Sequence, residues 1–273
     1  MKKALNVLLI AVLMLSHSSY TEHSDNQDVG VPRLTVWVHG TTIRAIVPFK
    51  NLIPNFHFPS KFMPFAELRK DSEAYRRAIA LYKGDAESFP LDSFYLFRWN
   101  GLLNYKERAA AAQDLYQALL KQIELIKKRT GKYPLITIIA HSHGSNIALQ
   151  LARINRDKIK INKLVLLACP VQDGTAGLVR HHTFERIYAF YSESDFIVPL
   201  ALQNFTKFSE RKFTISNSKL VHVKTCWKRY GLLHNDFKGI PFVAKLSIAL
   251  RAIDQKCFKP ECNSVNKNYN LVL

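Results

Sequence analysis

The sequence predicts an α/β protein, a doubly wound and mostly parallel sheet covered by helices on both faces. Three observations predict it. Strand-like runs rich in apolar and β-branched residues alternate with helical stretches along the chain. The run Leu135 to Ile139 is apolar throughout, as a strand buried on both faces must be. That run then passes through one serine straight into a helical repeat, with Ile147, Leu151 and Ile154 on one face beside Ala148 and Ala152. A length of 273 residues suits one large α/β domain with a substantial core rather than two independent ones.

At the amino end, Lys2 and Lys3 precede the apolar run Ala4 to Leu15, followed by Ser16-His17-Ser18-Ser19. This three-part plan predicts a secretory signal peptide over 1–19, with Ser16-x-Ser18 as its cleavage site. The run is short for a membrane span. The protein is therefore expected to be secreted or periplasmic, with an uncleaved membrane anchor as the alternative. A polar linker covers 20–31, the folded domain 32–255 and a C-terminal tail 256–273.

Within the domain, Arg33 to Gly40 reads as a strand ending in a His39-Gly40 turn. Next come Pro48, Pro54, Pro59 and Pro64 among many aromatics, then a helical stretch near Phe65–Tyr82. So long a connection after the first strand is the candidate lid-like insertion. Phe94 to Trp99 gives a second strand, stopped at Asn100-Gly101. A long helix near Tyr105–Arg129 carries Ala112, Leu115, Leu119, Ile123 and Ile126 on one stripe and ends at Gly131 and Pro134. After the serine junction come strands at Lys163–Cys169 and Arg186–Tyr191, one or two short strands at Phe213–Ser216 and Leu220–Val223, and a last helix at Phe242–Ile253.

The chain carries 39 Lys+Arg against 21 Asp+Glu, a net charge of +18. Such an excess favours anionic surfaces. Much of it lies late, where Lys207, Arg211, Lys212, Lys219, Lys224, Lys228 and Arg229 face only Glu210. Nucleic acid is not the expected partner, because no zinc-finger spacing or RNP-type motif accompanies the charge. Cys257 and Cys262 bracket a short loop and suit a local disulfide, Cys169 reads as a buried thiol, and Cys226 is undecided.

The pentad Ala140-His141-Ser142-His143-Gly144 has the spacing of a nucleophile elbow, with small residues two positions either side of the serine. Bulk there collides with neighbouring strand or helix backbone. A serine hydroxyl needs a base, and a base needs a carboxylate, in the chain order Ser, Asp/Glu, His. The acid is Asp195, just past the strand Arg186–Tyr191, with Asp173 and Glu193 as rivals. The base is His234, in the loop before the last helix, with His222 as its rival; His181 and His182 precede Asp195 and break the order. The oxyanion donors are the backbone N–H of His143 and, from the exit of the first strand, that of Thr41, with Gly40 as the alternative. His39, His141 and His143 gather near the elbow, but no HExxH spacing supports a metal.

With Ser142, Asp195, His234 and the His39-Gly40 turn in order, residues 32–255 resemble the α/β-hydrolase superfamily. The Ala-His-Ser-x-Gly form is similar to that of small bacterial lipases, and the layout resembles the serine esterases related to GPI inositol-deacylases. The resemblance implies a Ser-His-Asp triad, hydrolysis of carboxylic esters through an acyl-enzyme, and no cofactor. Ala140 replaces the usual first glycine. The two N-terminal antiparallel strands of larger members have no room here, which implies a reduced α/β-hydrolase fold.

The expected function is therefore that of an exported serine hydrolase acting on lipid or other acyl esters, with the basic face meeting an anionic membrane surface. Thioesterase, amidase or acyltransferase chemistry uses the same triad. A non-catalytic hydrolase-like module binding anionic surfaces is the third reading.

Overall fold

The structure, a computed structural model, describes residues 30–41, 59–201, 207–228, 230–258 and 267–273. The predicted signal peptide and most of the linker lie outside these residues, as do Cys262 and the first half of the insertion. Among the described residues no helix is long and apolar enough to cross a membrane.

The frame is a parallel sheet. Strand β1 (Arg33–Val38) lies between β3 (Phe94–Arg98) and β4 (Leu135–His141), and β5 (Ile161–Leu167), β6 (Phe184–Tyr191) and β7 (Leu220–Trp227) follow in order beyond β4, all parallel. Helix α1 (Glu73–Gly84) links the insertion to β3, α2 (Tyr105–Thr130) links β3 to β4, α3 (His143–Ile154) links β4 to β5, and α4 (Ile240–Cys257) follows β7.

Alternation along the strands separates two cores. Val36, Val38, Ile138 and Ala140 pack on the face covered by α2 and α3, whereas Trp37 and Ile139 pack on the face covered by α1 and α4. Each helix presents one apolar stripe, and burial of these stripes is what holds the layers together. Asn104 caps α2 by accepting from Glu107 N–H, and Gly131 ends it at φ 73°, where a side chain is strained.

Three further strands lie at the edges, beyond the parallel run. β2 (Lys61–Pro64) pairs antiparallel with β3. β8 (Tyr230–Gly231) pairs antiparallel with β7, and β9 (Lys267–Val272) pairs parallel with it. Two boundaries move as a result. The part of the insertion from Lys61 onward is scaffold, since β2 and α1 belong to the layers. The tail at 256–273 is not a tail: α4 runs to Cys257 and β9 joins the sheet, so the compact unit spans Pro32–Leu273. Phe213–Ser216 forms no strand; Phe213 is buried and Ile215 packs beside it against the core from irregular backbone.

Candidate active site

Ser142 follows the last residue of β4 and caps α3 with φ 53° and ψ −133°, a conformation rare for a residue with a side chain. The strain persists because packing fixes it on both sides. A Cβ on Gly144 would come within 2.5 Å of the His39 carbonyl oxygen and 2.9 Å of that of Val38. A Cβ on Gly40 would meet Ser142 Cβ at 2.7 Å. Glycine at these two positions is what lets the start of α3 and the exit of β1 close around the serine.

Asp195 lies just beyond β6, 1% exposed, and its Oδ1 accepts from the N–H groups of Ile197 at 3.0 Å and Val198 at 3.2 Å. Arg211 Nε donates to the Asp195 carbonyl at 2.7 Å, which ties the acid loop down. The carboxylate's second oxygen lies 2.8 Å from His234 Nδ1. A carboxylate only accepts, so Nδ1 carries the proton and Nε2 is left as the acceptor. Ser142 Oγ donates to that Nε2 at 2.9 Å. The three side chains, drawn from three strand exits, form one hydrogen-bonded series.

His234 sits in a tight turn. Leu233 N–H donates to Asp236 Oδ2 at 2.7 Å, and Asp236 N–H to the Leu233 carbonyl at 3.0 Å. His141 completes the turn's support by donating from Nε2 to the His234 carbonyl at 3.0 Å. Burial, with the neighbouring His234, Lys238 and Arg77 charges, holds His141 well below the usual histidine range. It is a neutral strut.

The exit of β1 is fixed in the same way. His39 Nδ1 donates to the Gly40 carbonyl at 2.6 Å, its Nε2 accepts from Trp99 N–H at 3.1 Å, and Trp99 Nε1 donates to the His39 carbonyl at 2.8 Å. Thr41 follows directly. His143 is the first residue of α3, where helix geometry leaves the leading N–H groups without intrahelical acceptors. Its ring Nδ1 accepts from Arg108 Nη1 at 3.0 Å, and burial together with the Arg108 charge pushes its pKa down to about 3.

The rival residues lie elsewhere. Asp173 pairs with Lys207 at 2.5 Å and Glu193 faces Lys212 and Lys224, each at 3.8 Å. His222 sits on β7 beside Phe213, and the His181 and His182 rings lie tilted against each other with His182 paired to Asp157. Among the described residues no cluster of three metal-ligating side chains occurs. Cys169 is buried, with its thiol pushed up to about 12, so it is an inert thiol at neutral pH.

Two features escape a reading of the sequence alone: the strut from His141 to the His234 carbonyl, and Arg108. The second left a signal. Arg108 stands four residues before Ala112 on the very stripe that buries Leu115 and Leu119. A cation on a buried helical stripe calls for a partner.

Sheet order, elbow and the chain order Ser–Asp–His together define an α/β-hydrolase architecture. The sequence matches no protein-family model and no curated protein. Among solved structures the chain is similar to ferulic-acid-bound Est1E from Butyrivibrio proteoclasticus, at 12% identity and TM-score 0.40, covering 84% of this chain and 90% of that one. It is also similar to the esterase domain of a Rhodothermus marinus protein, at 13% identity and TM-score 0.37 over 83% and 88% of the two chains. A third is the Pyrobaculum calidifontis esterase, at 13% identity and TM-score 0.36 over 89% and 69%. Likeness at this level bears no weight on function; the site's own residues do.

Proposed function

We propose that this protein is a serine hydrolase that cleaves carboxylic esters through an acyl-enzyme, with Ser142 as nucleophile, His234 as general base and acid, and Asp195 as the group that orients it. The observation that carries the reading is the hydrogen-bonded series Ser142–His234–Asp195 at a strained elbow. Ser142 Oγ attacks the acyl carbon while its proton passes to His234 Nε2. The developing oxyanion takes hydrogen bonds from the backbone N–H groups of His143 and Thr41. Collapse breaks the ester bond, and the alcohol leaves with the proton from His234. Water, giving its proton to the same imidazole, then attacks the acyl carbon; the bond to Ser142 Oγ breaks, His234 returns the proton to Oγ, and the carboxylic acid is released.

Lipid esters are the proposed substrates and an anionic membrane surface the proposed place of work, reached by export through the leader at 1–19. Support comes from the site's rim. Phe196, Ile197 and Leu200 follow Asp195 and are exposed, as is Leu233 beside His234, and Lys212 and Lys224 each lie 3.8 Å from Glu193, two residues before Asp195. A series of p-nitrophenyl esters from acetyl to palmitoyl tests the reading. Turnover rising with chain length and falling by on the order of 10⁴ or more in Ser142→Ala is the expected result. Undiminished turnover in Ser142→Ala removes the reading, and turnover confined to acetyl and butyryl esters removes the lipid substrate alone.

A further inference from the structure

Arg108 is 5% exposed, in the first turn of α2, and both groups it is seen to bond are neutral: His143 Nδ1 at 3.0 Å and Gln172 Oε1 at 3.1 Å. No carboxylate pairs with it among the described residues, and its Nε has no hydrogen-bond partner among them. A desolvated guanidinium with neutral neighbours keeps a full uncompensated charge, which is costly unless an anion completes it.

A second observation points the same way. His143 is 3% exposed, and because its Nδ1 accepts from Arg108, its proton sits on Nε2. That Nε2 is buried and has no partner among the described residues. The ring therefore presents Arg108 with an acceptor on one edge and an unused N–H donor on the other, one residue from Ser142 and within electrostatic reach of His234. Buried donors are nearly always bonded, so an idle one beside a nucleophile marks a place for a ligand atom.

We propose that His143 and Arg108 form an anion-recognition subsite beside Ser142, which selects esters carrying a carboxylate or phosphate. His143 Nε2–H donates to the anionic oxygen. Arg108 is the positioning residue: it fixes the tautomer and rotation of the ring and supplies the compensating charge in a site where water is scarce, so the bond is strong. The subsite rests on the assignment of Ser142 as nucleophile and adds the substrate class to it.

Two matched pairs of esters test the subsite. In the carboxylate arm, p-nitrophenyl hexanoate is compared with mono-p-nitrophenyl adipate. In the phosphate arm, phenyl acetate is compared with 4-acetoxyphenyl phosphate. The native protein is expected to show kcat/KM at least tenfold higher for the anionic member of one arm, which identifies the anion. Arg108→Gln is expected to erase that ratio mainly through KM, and Arg108→Lys to retain most of it. Should Arg108→Gln fail to fold, His143→Gln, which removes the ring donor, is expected to erase the same ratio. No anionic preference in the native protein, or a preference that survives loss of the charge and of the ring donor, overturns the proposal. Fluorophosphonate labelling separates the two levels: a protein that labels and turns over both members equally loses the subsite alone, whereas one that never labels loses the nucleophile as well.

Discussion

The two histidines that flank Ser142 are equally buried and both held neutral by burial, yet they serve opposite sides of the site. His141 ends β4 and donates to the His234 carbonyl, so it supports the turn that holds the base. His143 opens α3, accepts from Arg108, and leaves its other nitrogen without a partner among the described residues. The first is consumed by the scaffold and the second is available to a ligand. Two residues' step along the chain changes the role because the elbow reverses direction there: β4 points its last side chain toward the loop carrying His234, while α3 turns its first toward α2.

The largest expected effect breaks the frame that both histidines share. Asp195→Asn retains the shape but cannot impose the Nδ1–H tautomer on His234, and kcat is expected to fall on the order of 10⁴-fold with little change in KM. Steady-state kinetics on an activated ester measures it; a loss under tenfold would assign the orienting role to another group.

Next in size is the closure of the elbow. Gly144→Ala drives a methyl to 2.5 Å from the His39 carbonyl oxygen, which has no flexible end to yield. A stability loss of about 1–3 kcal/mol is expected, together with lost activity, because β1's exit and the serine move apart. Denaturant unfolding and ester turnover on the same sample test both halves.

Substituting the two histidines sharpens the contrast itself. His141→Phe leaves the buried His234 carbonyl without its donor, at about 1–3 kcal/mol, and a displaced base lowers kcat by roughly tenfold to a hundredfold on every ester. His143→Phe keeps the backbone N–H and is expected to change the ranking of substrates more than the rate on neutral ones. Equal and substrate-independent losses in both variants would erase the distinction between strut and subsite.

The smallest effect is on pH. His141 and His143 are held below the ordinary value of 6.5, His143 down to about 3. Below 6.5 the unfolded chain binds protons at these sites that the folded chain refuses, so stability falls as pH falls. At His143 the loss continues down to about 3. Urea unfolding between about pH 7 and pH 4 checks the sign, and His143→Gln is expected to flatten part of the slope.

What could be read from the sequence follows from where the signals are local. The serine, its two small neighbours, the parallel strands and the loops carrying Asp195 and His234 are written as runs and spacings within a few residues of one another. β2 and β9 were not legible. Lys61–Pro64 ends in proline and Lys267–Val272 alternates polar residues at a sheet edge, so neither has the apolar run of a buried strand. Phe213–Ser216 alternates Phe213 and Ile215 with polar residues yet takes no strand conformation. The contacts of Arg108 with His143 and of His141 with the His234 carbonyl join residues 35 and 93 positions apart, and only the folded sheet brings them together.

Mapping the adduct left by a fluorophosphonate tests the central claim most directly. Peptide mass analysis is predicted to find the phosphonyl group on Ser142 alone in the native protein, no adduct in Ser142→Ala, and sharply slowed labelling in His234→Ala. An adduct on another serine, or labelling in His234→Ala as fast as in the native protein, would contradict the account.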